Sequence, residues 1–386
     1  MVNFMPHPFN SELCWAGATR YSSALCLFLL LTLWAGLVPA WAAGQPGVVI
    51  TDEAGRSVTV PATVNRIVPL GGAMRFVTYL QAVELVVGVE ALEKKPLEAG
   101  RLYGLAVAEK VRDLPVVGEG GPGGKLPDFE KIIAVRPDLI VAVGLESAQV
   151  NTIQDKTGVP VVSLNSAAMA GLDLRQTRDS LILLGRLLGR SERAKVLTAF
   201  IDGLEQDLRA RTADRKDRPT AYVGAISYRG KHGITSTEAS YAPLTWVSGQ
   251  NVADAIRQPG HVFIDQEKLL LWNPDVIFLD AGGIDKVRED YLKNPAFYTM
   301  LKAFQDGRVW VMPPYNSYHT NIETALANAY FLGKILYPEA FADIEPAAKA
   351  DAIFDFFIGV KAYDRLQKEF YGYGRAVFGK DGVSIH

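Results

Sequence analysis

The sequence predicts an α/β protein built as two similar lobes, each on a mostly parallel sheet, with a single rigid helix joining them. Three observations carry this reading. First, the segment DFEKIIAVRPDLIVAVG, from Asp128 to Gly144, returns as DQEKLLLWNPDVIFLDA from Asp265. In both copies an acidic residue and a Glu-Lys pair open a short helix, aliphatic residues follow on one face, and Pro-Asp precedes an aliphatic run. Proline biases the residue before it away from the α region, so Pro137 and Pro274 end their helices. Second, Leu139 to Val143 and Val276 to Leu279 are apolar without alternation, the pattern of strands covered on both faces of a parallel sheet. Third, the stretch from Ser191 to about Arg211 lies between the copies and repeats Val196, Phe200, Leu204 and Leu208 every four residues. That is one apolar stripe on a helix of about 20 residues, roughly 30 Å long. Helix-then-strand units on both sides of such a connector make two Rossmann-like lobes, with a ligand site between them.

A chain of 386 residues holds two domains of ordinary size. Hydrophobic content of 49% and charged content of 21% are those of a globular protein. A net charge of −2 leaves no footprint for a polyanion, so nucleic acid is not an expected partner. At the start, Arg20 precedes an apolar run from Ala24 to Val38, then Pro39 and small residues around Ala40, Ala42 and Ala43. This reads as a secretory signal cut after Ala42 or Ala43. Both cysteines, Cys14 and Cys26, fall inside it, and Ser-Ala-Leu before Cys26 is no lipidation signal. The mature chain is therefore expected in a periplasm-like space without thiol, disulfide or thiolate metal site. The reading divides the chain into a signal peptide at 1–43, an N-terminal α/β lobe at 44–170, a helical segment with the connector at 171–214, and a C-terminal α/β lobe with a helical C-terminus at 215–386.

In order, VVITDEAGRSVTVP alternates as a hairpin turned at Glu53-Ala54-Gly55. Arg66 to Leu70, Leu85 to Val89 and Pro115 to Gly118 read as buried strands, with Gly71 to Arg75 as a loop into a helix. Glu119 to Gly124 is glycine-rich but lacks the spacing of a phosphate-binding loop, which leaves a flexible or close-packed loop at a cleft mouth. Val161 to Leu164 is a strand, Leu172 to Leu188 an amphipathic helix broken at Gly189, and Arg211 to Arg218 a charged close to the connector. The second half opens on the strand Ala221 to Ile226 and the loop Ser227 to Gly233, and a helix led by Trp246 to Val252 runs toward His261. Val309 to Met312 is a last strand ending in Pro-Pro-Tyr-Asn-Ser-Tyr-His-Thr, and the remainder, from Ile322, reads as helical, including one helix from about Ala347 to Phe370.

The succession TDEAGRSVTVP, NRIVPL, VVGVE, EKIIAVRPDLIVA, the mid-chain helix, EKLLLWNPDVIFLD and VWVMPP covers nearly all of the mature chain. In that order it resembles the class III periplasmic substrate-binding proteins of ABC importers, the group handling iron siderophores, haem and vitamin B12. The resemblance implies a monomer with two lobes, ligand in the cleft, no cofactor, and delivery to a permease dimer with its ATPase subunits. It also implies that Glu130 and Glu267, matching the family's paired glutamates, dock on permease arginines. A carboxylate in a first helical turn is equally a good helix starter, because the helix dipole favours it.

Cleft residues are expected on loops at strand C-termini. These loops carry Arg75, Tyr228, Arg229, Lys231, His232, Tyr315, Tyr318 and His319. Cations with tyrosines and histidines suit an anion or a metal chelate, since guanidinium forks onto carboxylate or oxyanion while tyrosine and histidine hydrogen-bond or ligate iron. A bare metal site requires His232 and His319 to converge, and His261 and His386 sit on no loop aligned with the gap. An iron chelate is the leading ligand. A small oxyanion such as molybdate or tungstate, or another metal or corrinoid complex, is the alternative. An enzyme is disfavoured, as Gly-x-Ser-x-Gly and His-Glu-x-x-His are both missing. A ligand sensor would share the fold.

Overall fold

The computed structural model describes residues 47–95, 101–121, 125–164, 172–380 and 382–386. The proposed signal peptide at 1–43 lies outside the described residues.

The chain opens as the antiparallel hairpin β1 (Gly47–Thr51) and β2 (Ser57–Pro61). Its turn is held by Asp52, whose carboxylate accepts from Ala54 N at 3.1 Å and Arg56 N at 2.9 Å. Then come β3 (Ile67–Gly71), α1 (Ala73–Tyr79), β4 (Val89–Glu90), α2 (Tyr103–Val111), β5 (Val116–Gly118), α3 (Phe129–Val135), β6 (Leu139–Val143), α4 (Ser147–Thr157) and β7 (Val161–Leu164). β3, β6 and β7 form a parallel sheet in the order β3-β6-β7. β4 pairs in parallel with β5, and a bridge from Val86 to Ile67 brings that pair beside β3. The expected strand at Leu85 to Val89 shortens to β4, because Val83–Leu85 coils into a single 3₁₀ turn.

Two helices follow, α5 (Leu174–Leu187) and α6 (Ser191–Thr212). The second half contains β8 (Thr220–Gly224), β9 (Ser236–Ala239), α7 (Ala242–Trp246), β10 (Gln250–Asn251), β11 (Gly260–Phe263), α8 (Gln266–Trp272), β12 (Val276–Asp280), α9 (Ile284–Lys293), α10 (Pro295–Met300), α11 (Lys302–Gln305) and β13 (Val309–Met312). The chain ends with α12 (Ile322–Leu336), α13 (Pro346–Ile358), α14 (Tyr363–Phe370), β14 (Gly374–Gly379) and β15 (Gly382–Ile385). The second sheet runs β10-β8-β12-β13-β14-β15, parallel through β13 and antiparallel beyond it. β9 and β11 form a separate antiparallel ribbon.

Two expectations for the C-terminus need correction. The helix expected from Ala347 to Phe370 is two helices, because Gly359 takes the left-handed φ of 73° that closes α13. The chain end is not helical: β14 and β15 return as a hairpin that covers the edge of β13, with Trp310 opposite Arg375. Short alternation over Arg375 to Phe378, with Ala376 buried, is a weak signal beside the strong helical periodicity that precedes it.

The two repeat copies fold alike down to individual hydrogen bonds. Asp128 caps α3 by accepting from Lys131 N at 3.1 Å, and Asp265 caps α8 by accepting from Lys268 N at 2.6 Å. Such a cap is worth about 1 kcal/mol. Both helices close on a left-handed residue just before proline, Arg136 and Asn273. The aspartate after each proline then reaches the start of the neighbouring strand. Asp138 accepts from Asn65 N and Arg66 N at 2.8 and 2.9 Å, and Asp275 accepts from Thr220 N at 2.9 Å. Each Pro-Asp thus sets the register of β6 on β3 or of β12 on β8.

The unalternating apolar runs divide by face. Leu139, Val141 and Val143 of β6, with Val276 and Phe278 of β12, join one large core; Ile140 and Ala142 belong to a second, and Ile277 and Leu279 to a third. The large core runs through Leu197, Ile201, Leu204 and Leu208 of α6 and on into α12 and α13, so it is shared by both sheets. Gly47–His386 accordingly forms one compact unit. α6 packs on α5, α12 and α7, while α13 also touches α1. Phe200 of α6 stacks on Phe356 at 3.7 Å between ring centres, and Phe357 meets Tyr79 edge-on at 5.0 Å.

Candidate functional site

The C-terminal ends of β8, β12 and β13 open toward a cleft of about 680 Å³. It is lined by Leu92 from the first half and by Ser227, Arg229, Lys231, Asn316 and Tyr318 from the second, with Phe370 and Tyr371 at the end of α14. Two loops supply most of the wall: 227–233, after β8, and 313–321, after β13. Non-glycine residues with left-handed φ concentrate here, namely Ala225, Arg229, Tyr318, His319 and Tyr371. Such backbone costs about 1–3 kcal/mol per residue and survives only where surrounding contacts hold it.

Loop 313–321 is held from both sides. Within its own half, the amide nitrogen of Asn321 donates to the carbonyls of Tyr315, Ser317 and His319 at 3.1, 3.1 and 3.2 Å. Across the seam, the Arg75 guanidinium donates to the carbonyl of Tyr318, and to that of Ser317 at 3.4 Å. The Tyr318 hydroxyl donates to Glu90, whose carboxylate also accepts from Gly71 N at 3.0 Å. The ring of His319 occupies space that only glycine leaves open: a Cβ on Gly144 would lie 1.9 Å from its Cε1, and one on Gly72 3.0 Å from its Cβ. Gly144 has a φ of 74°, so glycine is required there on both counts.

Burial governs the charges. It pushes Glu90 up to about 7, against the hydroxyl of Tyr318 that favours the carboxylate. Burial, with Arg75 close by, pushes the His319 imidazole down to about 4. Beneath the second loop, burial likewise raises Glu238 and Asp280 to about 7. Tyr315 sits over this acidic pair, 5.4 Å from the Tyr241 ring and 3.4 Å from Glu238 Oε1.

The eight residues expected in the cleft separate into three groups. Arg229, Lys231 and Tyr318 line it. Arg75 and Tyr315, 1% and 2% exposed, lie beneath it with His319, where they hold loop 313–321. Tyr228 and His232 share the first loop but face β11. His232 stands 4.9 Å edge-on to Phe263, and Tyr228 stacks on His261 at 4.2 Å and 8°. His232 and His319 therefore stand against different neighbours, and among the described residues no three His, Cys, Asp or Glu side chains group to hold a metal. His261, expected to play no part in the cleft, underlies loop 227–233. Glu90 and Asp280 are not among the expected residues, although each is a carboxylate ending an apolar run at a strand C-terminus, a legible signal. Glu130 and Glu267 are both exposed in the first turns of α3 and α8. Gly120, in the glycine-rich loop, is close-packed: a Cβ there would lie 3.0 Å from the Tyr318 hydroxyl. The rest of that loop, 122–124, lies outside the described residues.

Residues 80–316 match the model of a family described as periplasmic binding protein. The chain belongs to that family. Molybdate-binding protein MolA of Haemophilus influenzae is 24% identical to this periplasmic binding protein over 330 residues, covering 77% of this chain and 87% of that one. The solved structure of MolA bound to molybdate superposes with a TM-score of 0.64 at 21% identity, over 81% of this chain and 98% of that one. A TroA-like periplasmic binding protein, FepB from Veillonella parvula, superposes with a TM-score of 0.59 at 20% identity, over 81% and 96%. At such identities the structures share the fold. A shared fold does not fix a shared ligand.

Proposed function

We propose that this periplasmic binding protein is exported by its N-terminal signal and works as the monomeric solute-binding component of an ABC importer, capturing a bulky anionic iron chelate in its cleft. One observation carries the choice of ligand class: Arg229 lines the cleft with no carboxylate partner among the described residues. Lys231 beside it is paired with Asp285 at 3.4 Å, so the open guanidinium is the group left to meet a carboxylate or oxyanion. A volume of about 680 Å³ falls in the range of about 300–1,000 Å³ that suits a multi-atom ligand rather than a bare ion. Tyr318, Phe370 and Tyr371 line the same cleft and supply aromatic surface for such a molecule. Glu130 and Glu267, exposed on equivalent helices, are proposed as the permease contacts, and a catalytic role is assigned to no residue.

Molybdate or a similar oxyanion is the second reading, favoured by the likeness to MolA over 330 residues. Calorimetric titration of the mature chain with ferric siderophores, haem, cobalamin, molybdate and tungstate separates the two. Binding of an iron chelate that Arg229→Ala weakens at least tenfold supports the first reading. Binding of molybdate alone replaces it with the second.

A further inference from the structure

Two histidine rings stand at the loop that supplies Arg229 to the cleft: His232 on the loop itself and His261 on β11 beneath it. His232 Nε2 lies 2.8 Å from the carbonyl oxygen of Tyr228. A carbonyl only accepts, so this nitrogen carries the proton. His261 Nε2 lies 2.8 Å from the Ser236 hydroxyl, and that hydroxyl already donates its hydrogen to the Ile226 carbonyl at 2.6 Å. Ser236 Oγ can therefore only accept from His261, and again Nε2 is the protonated nitrogen. Nδ1 of each ring makes no hydrogen bond among the described residues, and in the neutral form of the ring it keeps its lone pair. This is the arrangement of a metal-ligating histidine, in which the second nitrogen donates to a carbonyl or hydroxyl and fixes the tautomer.

The two rings are 6.4 Å apart, centre to centre. With metal–nitrogen bonds of about 2.0–2.1 Å, one ion faced by both Nδ1 lone pairs can join two rings whose centres are about 5 Å apart at a tetrahedral angle and about 6.4 Å apart in line. The observed separation is at the wide end, and an approach of about 1 Å by the loop ring reaches the tetrahedral arrangement. His261 is fixed by Tyr228, stacked on it at 4.2 Å, and Phe263 packs edge-on against His261 at 4.7 Å and His232 at 4.9 Å. The neighbouring positive charge of Lys231 is offset by Asp285.

We propose that His232 and His261 bind one divalent transition-metal ion, of the class Cu²⁺, Ni²⁺ or Zn²⁺, beside the cleft. Two imidazole ligands leave coordination positions open, and Ser227, Arg229 and Lys231 of the same loop face the cleft. Solvent water can fill those positions. The site is independent of the iron-chelate reading, and Arg229→Ala leaves it intact.

The test is titration of the metal-free full chain with Cu²⁺, which heads the divalent affinity order for nitrogen ligands, followed by electron paramagnetic resonance and calorimetry. The first equivalent is expected to show two equatorial imidazole nitrogens. His232→Ala, on the loop, and His261→Ala each abolish that signature, while His319→Ala and His386→Ala keep it. Ser236→Ala frees the His261 tautomer and weakens binding about 10–100-fold. A one-nitrogen spectrum in the wild type, or a two-nitrogen spectrum that survives either His232→Ala or His261→Ala, overturns the assignment.

Discussion

Replacing Gly144 with alanine tests how the His319 ring is seated. Gly144 has a φ of 74°, where an L-residue is strained by about 1 kcal/mol. The added Cβ would also lie 1.9 Å from His319 Cε1 and 2.6 Å from Nδ1, so the ring must leave its seat. Overpacking of this kind costs about 1–3 kcal/mol, giving a total of about 2–4 kcal/mol. Over Gly47–His386, at about 2.1 cal/mol/K per residue, the unfolding entropy is about 0.7 kcal/mol/K, so the melting temperature should fall by about 3–6 °C. Urea unfolding of Gly144→Ala, His319→Ala and the double variant separates the two contributions. In the His319→Ala background only the backbone strain should remain, leaving a coupling of about 1–3 kcal/mol between the sites. Equal losses from Gly144→Ala in both backgrounds would refute the claim that the ring and the glycine share one space.

Tyr79→Phe removes the hydroxyl that donates to Glu323 inside the seam and should destabilise by about 1–3 kcal/mol in chemical denaturation. For Glu238, burial raises the folded-state value to about 7, so the unfolded chain loses its proton first, from about 4.5 upward. The buried carboxyl therefore opposes folding progressively as pH rises through about 4.5 to 7, and Glu238→Gln should gain stability relative to wild type across that window; a flat difference between pH 4.5 and 7.5 rejects this. Asp275 behaves oppositely, since its hydrogen bond with Lys302 holds it at about 2. Its contribution is in place above about pH 4 and is lost as pH falls toward 2, a loss that Asp275→Asn should not show. Charge reversal of both Glu130 and Glu267 to arginine should abolish cellular uptake of the ligand while its affinity in solution is unchanged, and normal uptake by the double variant excludes them as the permease contacts.

The scaffold was legible where chemistry is local. Pro137, Pro274 and the aspartates after them dictate a helix stop and a strand start from their own covalent nature, and β6, β7 and β13 occupy the residues expected. The hairpin β14–β15 was scarcely legible, because β14 is stabilised by the edge of β13 and β15 by β14, and the local alternation is weak. Side-chain roles divide the same way. That Arg229 and Lys231 reach the cleft follows from loop position after β8. That Arg75 instead serves two carbonyls of a loop some 240 residues along the chain depends on long-range packing, and so does the pairing of His232 with His261.

The apolar mass threaded by α6, α12 and α13 has a mechanical consequence. Swinging the two sheets apart would part Phe200 from Phe356 and Tyr79 from Phe357, and wetting a single large side chain of this kind costs about 1.5–3 kcal/mol. Wide opening is therefore costly, and small displacements at the rim of the cleft are the cheaper motion. On the importer reading, a permease that distinguishes the laden from the empty protein would then sense shifts of a few side chains at the surface rather than a change in the molecule's outline.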